Sequence, residues 1–558
     1  MGRFSAMTLA VGQGPTHRLV TVTAQAGLAL VLLGRLSRWL WRYRWTRPLA
    51  LPLGPAFLHW SASKLAEAIR QGQLRASDVV QAYIATLSAA DKKLNIVATE
   101  RFAAAQQEAL EVDKRVAVAR SLGQAAIDAL PAFLGVPIIS KESFEYTGLQ
   151  YTNGLLCRKG LLGLQKGPVI RRMEEAGFIV LGGGNLSEAC MWMESYNPVY
   201  GRTSSPFGLH LTPGGSSGGT AAGVASLGAP VGITSDIGGS TRIPSLYNGL
   251  FGHKATGGLV PNTRTHLDNY HGAVCRICQP GMVARHAEDL LPMLKHMAGP
   301  PDPIDNDPLT SEYLPIPKWL DLEVDFSGLT VGSLSFCGGF PTCFQELLLS
   351  SVSVGQLSAQ AKVVEWLQAK GCHVKQLYFE DLAVGHWFAT WATRVQAAGG
   401  PTFREVICQS KNTFGLGEIF RYILGVSPYT LPALGLAYAE DLQNAVEPPL
   451  EKRLEKAAEV EQLLTQALQT CNILVMPILP RHGCVHDELL FRILDSSFIS
   501  IWNAVEFPST AVPVGLHRGL PTGVQIVSSK GQDELTIGVA VELSRAGVAR
   551  CVPPGSGS

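Results

Sequence analysis

Apolar residues follow two patterns along the chain: the spacing typical of amphipathic helices, and the short continuous runs typical of buried strands. Helical spacing occurs in four segments: 61–70, 77–88, 102–119 and 169–176. Short apolar runs bounded by glycine or proline predict buried strands at three places: 136–139, 178–181 and 231–234. Strands that alternate with helices predict an α/β fold: a large, twisted, mixed and mostly parallel sheet with helices on both faces.

In the C-terminal half of the chain, fewer segments have a spacing of apolar residues that predicts a helix or a strand. The same rules predict strands at 329–334 and 473–480, and helices at 354–370 and 450–468. The segment 414–439 differs from its surroundings because it is unusually apolar. A pair of core helices is one interpretation of this segment.

The N-terminal segment has a different composition. Residues 19–34 carry no charge, and a run rich in arginine and tryptophan follows over 35–45. This pattern favours a transmembrane anchor, and a helix lying flat in the membrane interface is the alternative. A signal peptide is disfavoured, because the basic aromatic run stands where a cleavage site of small residues would be. We therefore divide the chain into an anchor with its basic aromatic flank (1–50), one large domain (51–552) and a short tail (553–558).

Composition narrows the functions that the large domain can have. Hydrophobic residues make up 46% and charged residues 16% of the 558 positions, which is enough apolar surface for a large core and a membrane contact. The net charge is +1, so nothing in the overall charge favours nucleic acid as a partner. The cysteines are scattered, and Cys275 and Cys278 lack a second pair or a nearby histidine. We expect free buried cysteines there, with no metal and no cofactor.

Two glycine-rich loops and an upstream lysine carry the candidate chemistry. Ser216 lies in the run Pro-Gly-Gly-Ser-Ser-Gly-Gly, Ser240 ends the run Asp-Ile-Gly-Gly-Ser, and Lys141 ends an apolar run. A serine hydroxyl becomes an effective nucleophile when a neighbouring base takes its proton. Lysine is such a base when it is neutral, and burial favours the neutral amine. We therefore predict Ser240 as the nucleophile, Ser216 as the hydroxyl that passes the proton, and Lys141 as the base in acyl transfer from an amide.

The run that ends at Ser240 also predicts an oxyanion hole. Successive backbone N–H groups in a glycine-rich turn can converge on the negative oxygen of a tetrahedral intermediate. The amides in question are those of Ile237, Gly238, Gly239 and Ser240. We predict the first three residues as substrate-binding. Asp236 and Arg242 flank this loop with opposite charges, and we expect a buried ion pair between them that holds the loop.

Taken in order, the three elements resemble the amidase signature family, whose catalytic residues are a lysine and two serines. The matching positions are Lys141, Ser216 and Ser240, and the similarity extends over about 55–550. Thr220 and Thr241 depart from the pattern expected of the fatty-acid amide hydrolases within this family. Neither departure touches the catalytic residues, so they bear on subfamily and substrate preference.

Within the family, segments 187–195, 197–202 and 270–300 are most similar to the membrane-bound fatty-acid amide hydrolases. This resemblance implies the amidase signature fold and Cys190 as a further substrate-binding residue. It implies hydrolysis of primary fatty amides and N-acylethanolamines, with a lipid amide as substrate and no nucleic acid partner. It also implies a membrane location, at the endoplasmic reticulum or a lipid droplet, and a possible homodimer. The apolar segment over 412–440 then gains a second interpretation, a membrane-facing cap beside an acyl channel.

Three functions remain open at this point. The leading hypothesis is a membrane-anchored serine amidase that acts on fatty-acid amides. A soluble small-amide amidase or an amidotransferase subunit uses the same chemistry, but the N-terminal segment argues against it. A catalytically silent membrane scaffold of the same fold is disfavoured by the intact set of two serines and a lysine.

Overall fold

The computed structural model describes residues 48–49, 54–265, 274–305, 307, 310–319, 324–334, 349–399, 401–409, 415, 417–446 and 448–555. Apart from Pro48 and Leu49, the anchor predicted over 1–50 lies outside these ranges, as do positions 412–414 and 416 of the proposed cap. Within the described ranges, no helix combines the length and the apolar character that crossing a membrane would require.

The strands of the described residues form one sheet of eleven strands and a small two-stranded hairpin. They are β1 Val97–Glu100, β2 Pro137–Lys141, β3 Ile179–Gly184, β4 Tyr196–Asn197, β5 Gly201–Arg202, β6 Val231–Asp236, β7 Phe251–Lys254, β8 Gln279–Ala284, β9 Thr330–Leu334, β10 His373–Leu377, β11 Ile473–Pro477, β12 Ser509–His517 and β13 Leu520–Val527. In the large sheet the spatial order is β1-β3-β2-β6-β8-β7-β12-β13-β11-β9-β10.

The large sheet is mixed, and its parallel pairs lie in two groups. Strands β3, β2 and β6 pair in parallel, and so do β11, β9 and β10. The strands between these groups pair antiparallel, from β6 through β8, β7, β12 and β13 to β11. The predicted α/β class with a mixed sheet is confirmed. The pattern had identified β2, β3 and β6, whose helical connections give the parallel arrangement.

The helices of the described residues connect these strands and pack on the sheet. They are α1 Ala62–Arg70, α2 Ala76–Leu94, α3 Phe102–Leu122, α4 Gln124–Asp128, α5 Pro168–Glu175, α6 Gly218–Ala225, α7 Arg242–Asn248, α8 Val274–Ile277, α9 Leu290–Met297, α10 Val354–Ala369, α11 Trp387–Ala397, α12 Phe403–Cys408, α13 Gly417–Ile423, α14 Leu431–Val446, α15 Leu450–Thr470, α16 Ser497–Ala504 and α17 Asp533–Arg545. The six helices predicted from the sequence correspond to α1, α2, α3, α5, α10 and α15.

The parallel group β3-β2-β6 positions the candidate site. The register of β2 against β6 aligns Ser140 with Ile233, so both strands end at the same edge of the sheet. Lys141 is the last residue of β2, and the loop to Ser240 leaves the end of β6 at Asp236. Parallel strands place their carboxyl ends together, which is where sites form in open α/β sheets.

Candidate active site

Lys141 is completely buried at the end of β2, as predicted. Its side-chain nitrogen Nζ donates hydrogen bonds to Ser216 Oγ at 2.7 Å and to Ser235 Oγ at 2.9 Å. Ser235 lies in β6, the parallel neighbour of β2, and the register of the two strands brings it beside the lysine. The amine therefore faces two hydroxyl groups at a position that is not exposed to solvent.

A second buried lysine serves as a comparison. Lys254 ends β7 and is also completely buried, but its Nζ donates to the carbonyl of Ala255 at 2.8 Å. Burial, and then the charge of Arg242, lower the pKa of Lys254 to about 7. Among the described residues no hydrogen bond joins the Lys254 amine to a serine hydroxyl, so of these two lysines Lys141 has the geometry of the predicted base.

The loop that carries Ser216 is held in place by close backbone contacts. The peptide bond between Gly215 and Ser216 is cis. A side chain at Gly215 would place its Cβ 2.6 Å from both the Glu194 nitrogen and the Trp192 oxygen, so only glycine fits there. The backbone N–H of Ser217 donates to the carbonyl of Ser240 at 3.3 Å. The two serine loops are therefore in direct contact.

Ser240 lies where this loop meets a pocket of about 510 Å³. Within the described part of the chain its hydroxyl makes no hydrogen bond, whereas the Ser216 hydroxyl is held by Lys141. The pocket walls are mostly apolar and include Met191, Trp192, Phe388, Trp391, Leu436 and Ile493. A reacting carbonyl in this pocket would meet Ser240 with an apolar surface around its substituents.

The predicted oxyanion donors do not all have free amides. The N–H of Gly239 donates to Asp236 Oδ1 at 2.7 Å, and Gly239 is not among the pocket-lining residues. The assignment of Gly239 as a substrate-binding residue stays a prediction, and in this structure its amide is hydrogen-bonded to a buried carboxylate. No acceptor is found within the described ranges for the amides of Ile237, Gly238 and Ser240, and these three residues line the pocket.

The predicted ion pair between Asp236 and Arg242 is confirmed. Both side chains are completely buried, and the guanidinium donates to the two carboxylate oxygens at 2.9 and 3.0 Å. Burial opposes ionisation of Asp236, but the guanidinium outweighs it and lowers the pKa of this carboxyl to about 2. Arg242 also donates to Asn503 Oδ1 at 2.7 Å, which ties the loop to α16.

Cys190 lines the same pocket as Ser240, as expected for a residue near the substrate. Its thiol lies 3.7 Å from Asn153 Oδ1, and burial raises the pKa of the thiol. Its backbone φ of 60° and that of 52° at Ala189 turn the chain sharply towards Met191. The structure thus brings together the predicted residues Lys141, Ser216 and Ser240, the amides of Ile237 and Gly238, and Cys190.

Two residues of the site carried no functional assignment from sequence. Ser235 is the second partner of Lys141, and only the β2–β6 register places it there. Trp391 in α11 donates its indole N–H to the carbonyl of Ile237 at 2.8 Å and lies over Gly238. The indole therefore fixes the peptide between Ile237 and Gly238, whose N–H is one of the predicted oxyanion donors. Because 154 residues separate Trp391 from Ile237, no local pattern could indicate this contact.

Comparison with known proteins agrees with this geometry. The family model described as Amidase matches residues 78–537. The chain belongs to the amidase family. This membership confirms the predicted family and makes the protein an enzyme of amide hydrolysis.

Two relatives and one solved structure resemble this amidase over most of their length. Fatty-acid amide hydrolase 2-A of Danio rerio is 35% identical over 503 residues, which are 89% of this chain and 90% of the relative. Fatty-acid amide hydrolase 2 of Homo sapiens is 31% identical over 527 residues, 93% of this chain and 95% of the relative. A solved structure of a fatty acid amide hydrolase has a TM-score of 0.68 at 19% identity, covering 89% of this chain and 86% of that one. The structural likeness shows the shared fold.

Proposed function

We propose that this amidase hydrolyses fatty-acid amides, both primary amides and N-acylethanolamines, to a free fatty acid and an amine. The observation that carries the proposal is the hydrogen bond of 2.7 Å from Lys141 to Ser216. The loop of Ser216 contacts Ser240, and Ser240 lines an apolar pocket. The similarity to fatty-acid amide hydrolase 2 of Danio rerio and Homo sapiens supports the choice of substrate class.

The first half of the proposed reaction forms an acyl-enzyme. Ser240 Oγ attacks the amide carbonyl carbon, and its proton passes through the Ser216 hydroxyl to the neutral Lys141. A hydroxyl suits this relay because it donates and accepts at once. The amides of Ile237, Gly238 and Ser240 stabilise the negative oxygen of the tetrahedral intermediate.

The second half releases both products. Lys141 returns the proton through Ser216 to the amine as the carbon–nitrogen bond breaks, which makes the amine a neutral leaving group. Water then attacks the ester bond on Ser240, with Lys141 and Ser216 again taking and returning a proton. Ser235 holds the amine of Lys141 in line with Ser216 throughout, since it bonds the same nitrogen at 2.9 Å.

The apolar walls of the pocket support a long acyl chain. Each methylene that leaves water for such a surface contributes about 0.8 kcal/mol. Reaction efficiency should therefore rise steeply from acetamide through hexanamide to oleamide when the rates are normalised to active sites. A flat response along this series would identify a small-amide amidase instead.

Membrane contact is the second part of the proposal. On α13 and in the turn after it, Phe420, Ile423 and Leu424 are 69%, 72% and 75% exposed. The neighbouring α14 buries Ala433 and Ala437 and lines the pocket with Leu436. The segment thus has a packed helix at the pocket and, just before it in the chain, a helix with exposed apolar side chains, an arrangement that supports delivery of a lipid amide from a membrane surface.

Vesicle binding tests the membrane contact. The full chain carrying Phe420→Glu and Ile423→Glu should cosediment less with phosphatidylcholine vesicles than wild type, because charge replaces exposed apolar surface. Leu122→Glu is the matched control, since Leu122 is 73% exposed at the end of α3. Equal binding of both variants would remove α13 from the membrane-contacting surface.

A further inference from the structure

One wall of the pocket carries a hydroxyl group that the proposed reaction does not use. Ile493, Ser496 and Ser500 line the pocket together, at a spacing that places them on one face of the turn leading into α16. Ser496 Oγ donates to the carbonyl of Ile493 at 2.6 Å. Ser500 is 1% exposed, and its hydroxyl has no hydrogen-bond partner within the described residues.

Ser497 is also buried and without a hydrogen-bond partner within the described residues, but Ser500 is the one of the two that lines the pocket. A buried serine in a helix ordinarily donates to the carbonyl four residues earlier. Among the described residues, three buried hydroxyls do so: Thr86 to Ala82 at 3.0 Å, Ser245 to Thr241 at 2.8 Å, and Thr390 to His386 at 2.8 Å. Ser500 has the same opportunity and does not use it. Buried polar groups without a partner are rare and call for an explanation.

We propose that Ser500 determines specificity by hydrogen-bonding a hydroxyl group of the substrate. The inference rests on the proposed function, because it assumes that an amide occupies the pocket beside Ser240. The ligand class is therefore a long-chain amide that bears a hydroxyl group. The hydroxyl can belong to the amine part, as in an N-acylethanolamine, or to the acyl chain, as in a hydroxylated fatty amide.

The apolar surroundings make a single hydroxyl effective as a selector. Apart from the serines and the backbone amides beside Ser240, the pocket offers mostly carbon to a ligand. A substrate hydroxyl that enters such a space loses its water and regains a hydrogen bond at the serines of this wall, where the donor of Ser496 is already used and that of Ser500 is not. A substrate without the hydroxyl leaves Ser500 unpaired but loses no hydrogen bond of its own. Selectivity of about threefold to tenfold for the hydroxylated substrate is expected from one neutral hydrogen bond.

Two matched substrate pairs measure this selectivity and separate its sources. N-oleoylethanolamine against N-propyloleamide tests a hydroxyl in the amine part, and 12-hydroxyoleamide against oleamide tests one in the acyl chain. In wild type, one pair should show a higher kcat/KM for its hydroxylated member. Ser500→Ala should reduce that ratio to about one, while the other pair stays unselective.

Ser497→Ala is the control variant. Ser497 lies in the same helix, is also buried and also lacks a hydrogen-bond partner, but it does not line the pocket. It should retain the wild-type ratio. The melting temperature of Ser500→Ala should not fall, because no hydrogen bond within the protein is removed. Unchanged ratios in Ser500→Ala, or the same loss in Ser497→Ala, would overturn the proposal.

Failure of the proposed function would be visible separately. If wild type turned over none of the four amides although Ser240 reacted with a fluorophosphonate, the proposed substrate class would be wrong. The same amides would then be tested as ligands that protect Ser240 from labelling. Protection at lower concentration by a hydroxylated member in wild type, but not in Ser500→Ala, would support the specificity contact. Equal protection in both proteins would refute it.

Discussion

Replacing Arg242 by methionine removes the charge that holds the loop before Ser240. The guanidinium donates to both oxygens of Asp236, at 2.9 and 3.0 Å, and neither side chain is exposed. Without it the buried carboxylate keeps backbone donors, among them Gly239 at 2.7 Å and Thr241 at 3.1 Å. Loss of one partner of a buried pair costs about 3–5 kcal/mol of unfolding free energy.

The pKa of Asp236 determines how the free energy of unfolding changes with pH in the two proteins. In wild type, burial disfavours the charged form of Asp236, but Arg242 outweighs burial and lowers the pKa from 3.8 to about 2. The pair therefore contributes stability above the unfolded pKa, and this contribution is lost as the pH falls through about 2. In Arg242→Met the guanidinium no longer opposes burial, so the pKa of Asp236 rises from its wild-type value. The stability difference between wild type and variant is therefore smallest at acid pH, where the carboxyl is protonated in both, and grows as the pH rises.

Urea unfolding followed by tryptophan fluorescence measures both effects. Arg75→Met is the matched control, because Arg75 and Asp78 form an exposed pair at 2.7 Å with 71% and 54% of their side chains exposed. Exposed pairs of this kind contribute little. Arg242→Met should unfold at much lower urea than Arg75→Met, and its deficit should grow from pH about 4 to about 7. Equal urea midpoints for the two variants would refute the account of the loop.

The remaining predictions concern the reaction. Lys141→Ala should reduce the rate of amide hydrolysis by about 10²-fold or more and that of ester hydrolysis by less, because an amine leaving group needs a proton and an alkoxide needs it less. Equal reductions of the two rates, each normalised to the number of labelled active sites, would make Lys141 a structural residue. Trp391→Phe should lower kcat/KM roughly two- to tenfold through loss of the 2.8 Å bond to Ile237, with a nearly unchanged melting temperature. An unaltered kcat/KM would show that the indole does not position the oxyanion loop. Ser216→Ala should still be labelled by a fluorophosphonate but more slowly than wild type, and equal rates would remove Ser216 from the proton relay.

The fold was predictable where the connections between strands are helical. Strands β2, β3 and β6 and the helix α5 between the first two follow from hydrophobic spacing, and this part of the sheet is parallel. The antiparallel centre was not predicted strand by strand. In β12 and β13 the pairing depends on a hairpin between His517 and Leu520, and in β7 and β8 on long-range contacts. Periodicity identifies a strand but does not give the direction of its neighbours.

The site was predictable where its chemistry is concentrated in a short run of sequence. Ser216 and Ser240 were identified by their glycine-rich loops, and Asp236 with Arg242 by their position around one of them. The contacts that other helices and strands supply to these residues were not predictable from the sequence. The contact of Ser235 with Lys141 depends on strand register, and that of Trp391 with Ile237 depends on the packing of α11. Each of these is a tertiary contact, and the local sequence does not specify it.

The central claim is that Ser240 is the nucleophile of a serine amidase. A fluorophosphonate probe, followed by proteolysis and mass spectrometry, tests it most directly, with heat-denatured protein as the control for non-specific reaction. The account predicts one labelled peptide in native wild type, with the modification on Ser240, and no labelling of Ser240→Ala. Labelling of Ser240→Ala at the wild-type rate, or modification of a different serine in the native enzyme, would contradict it.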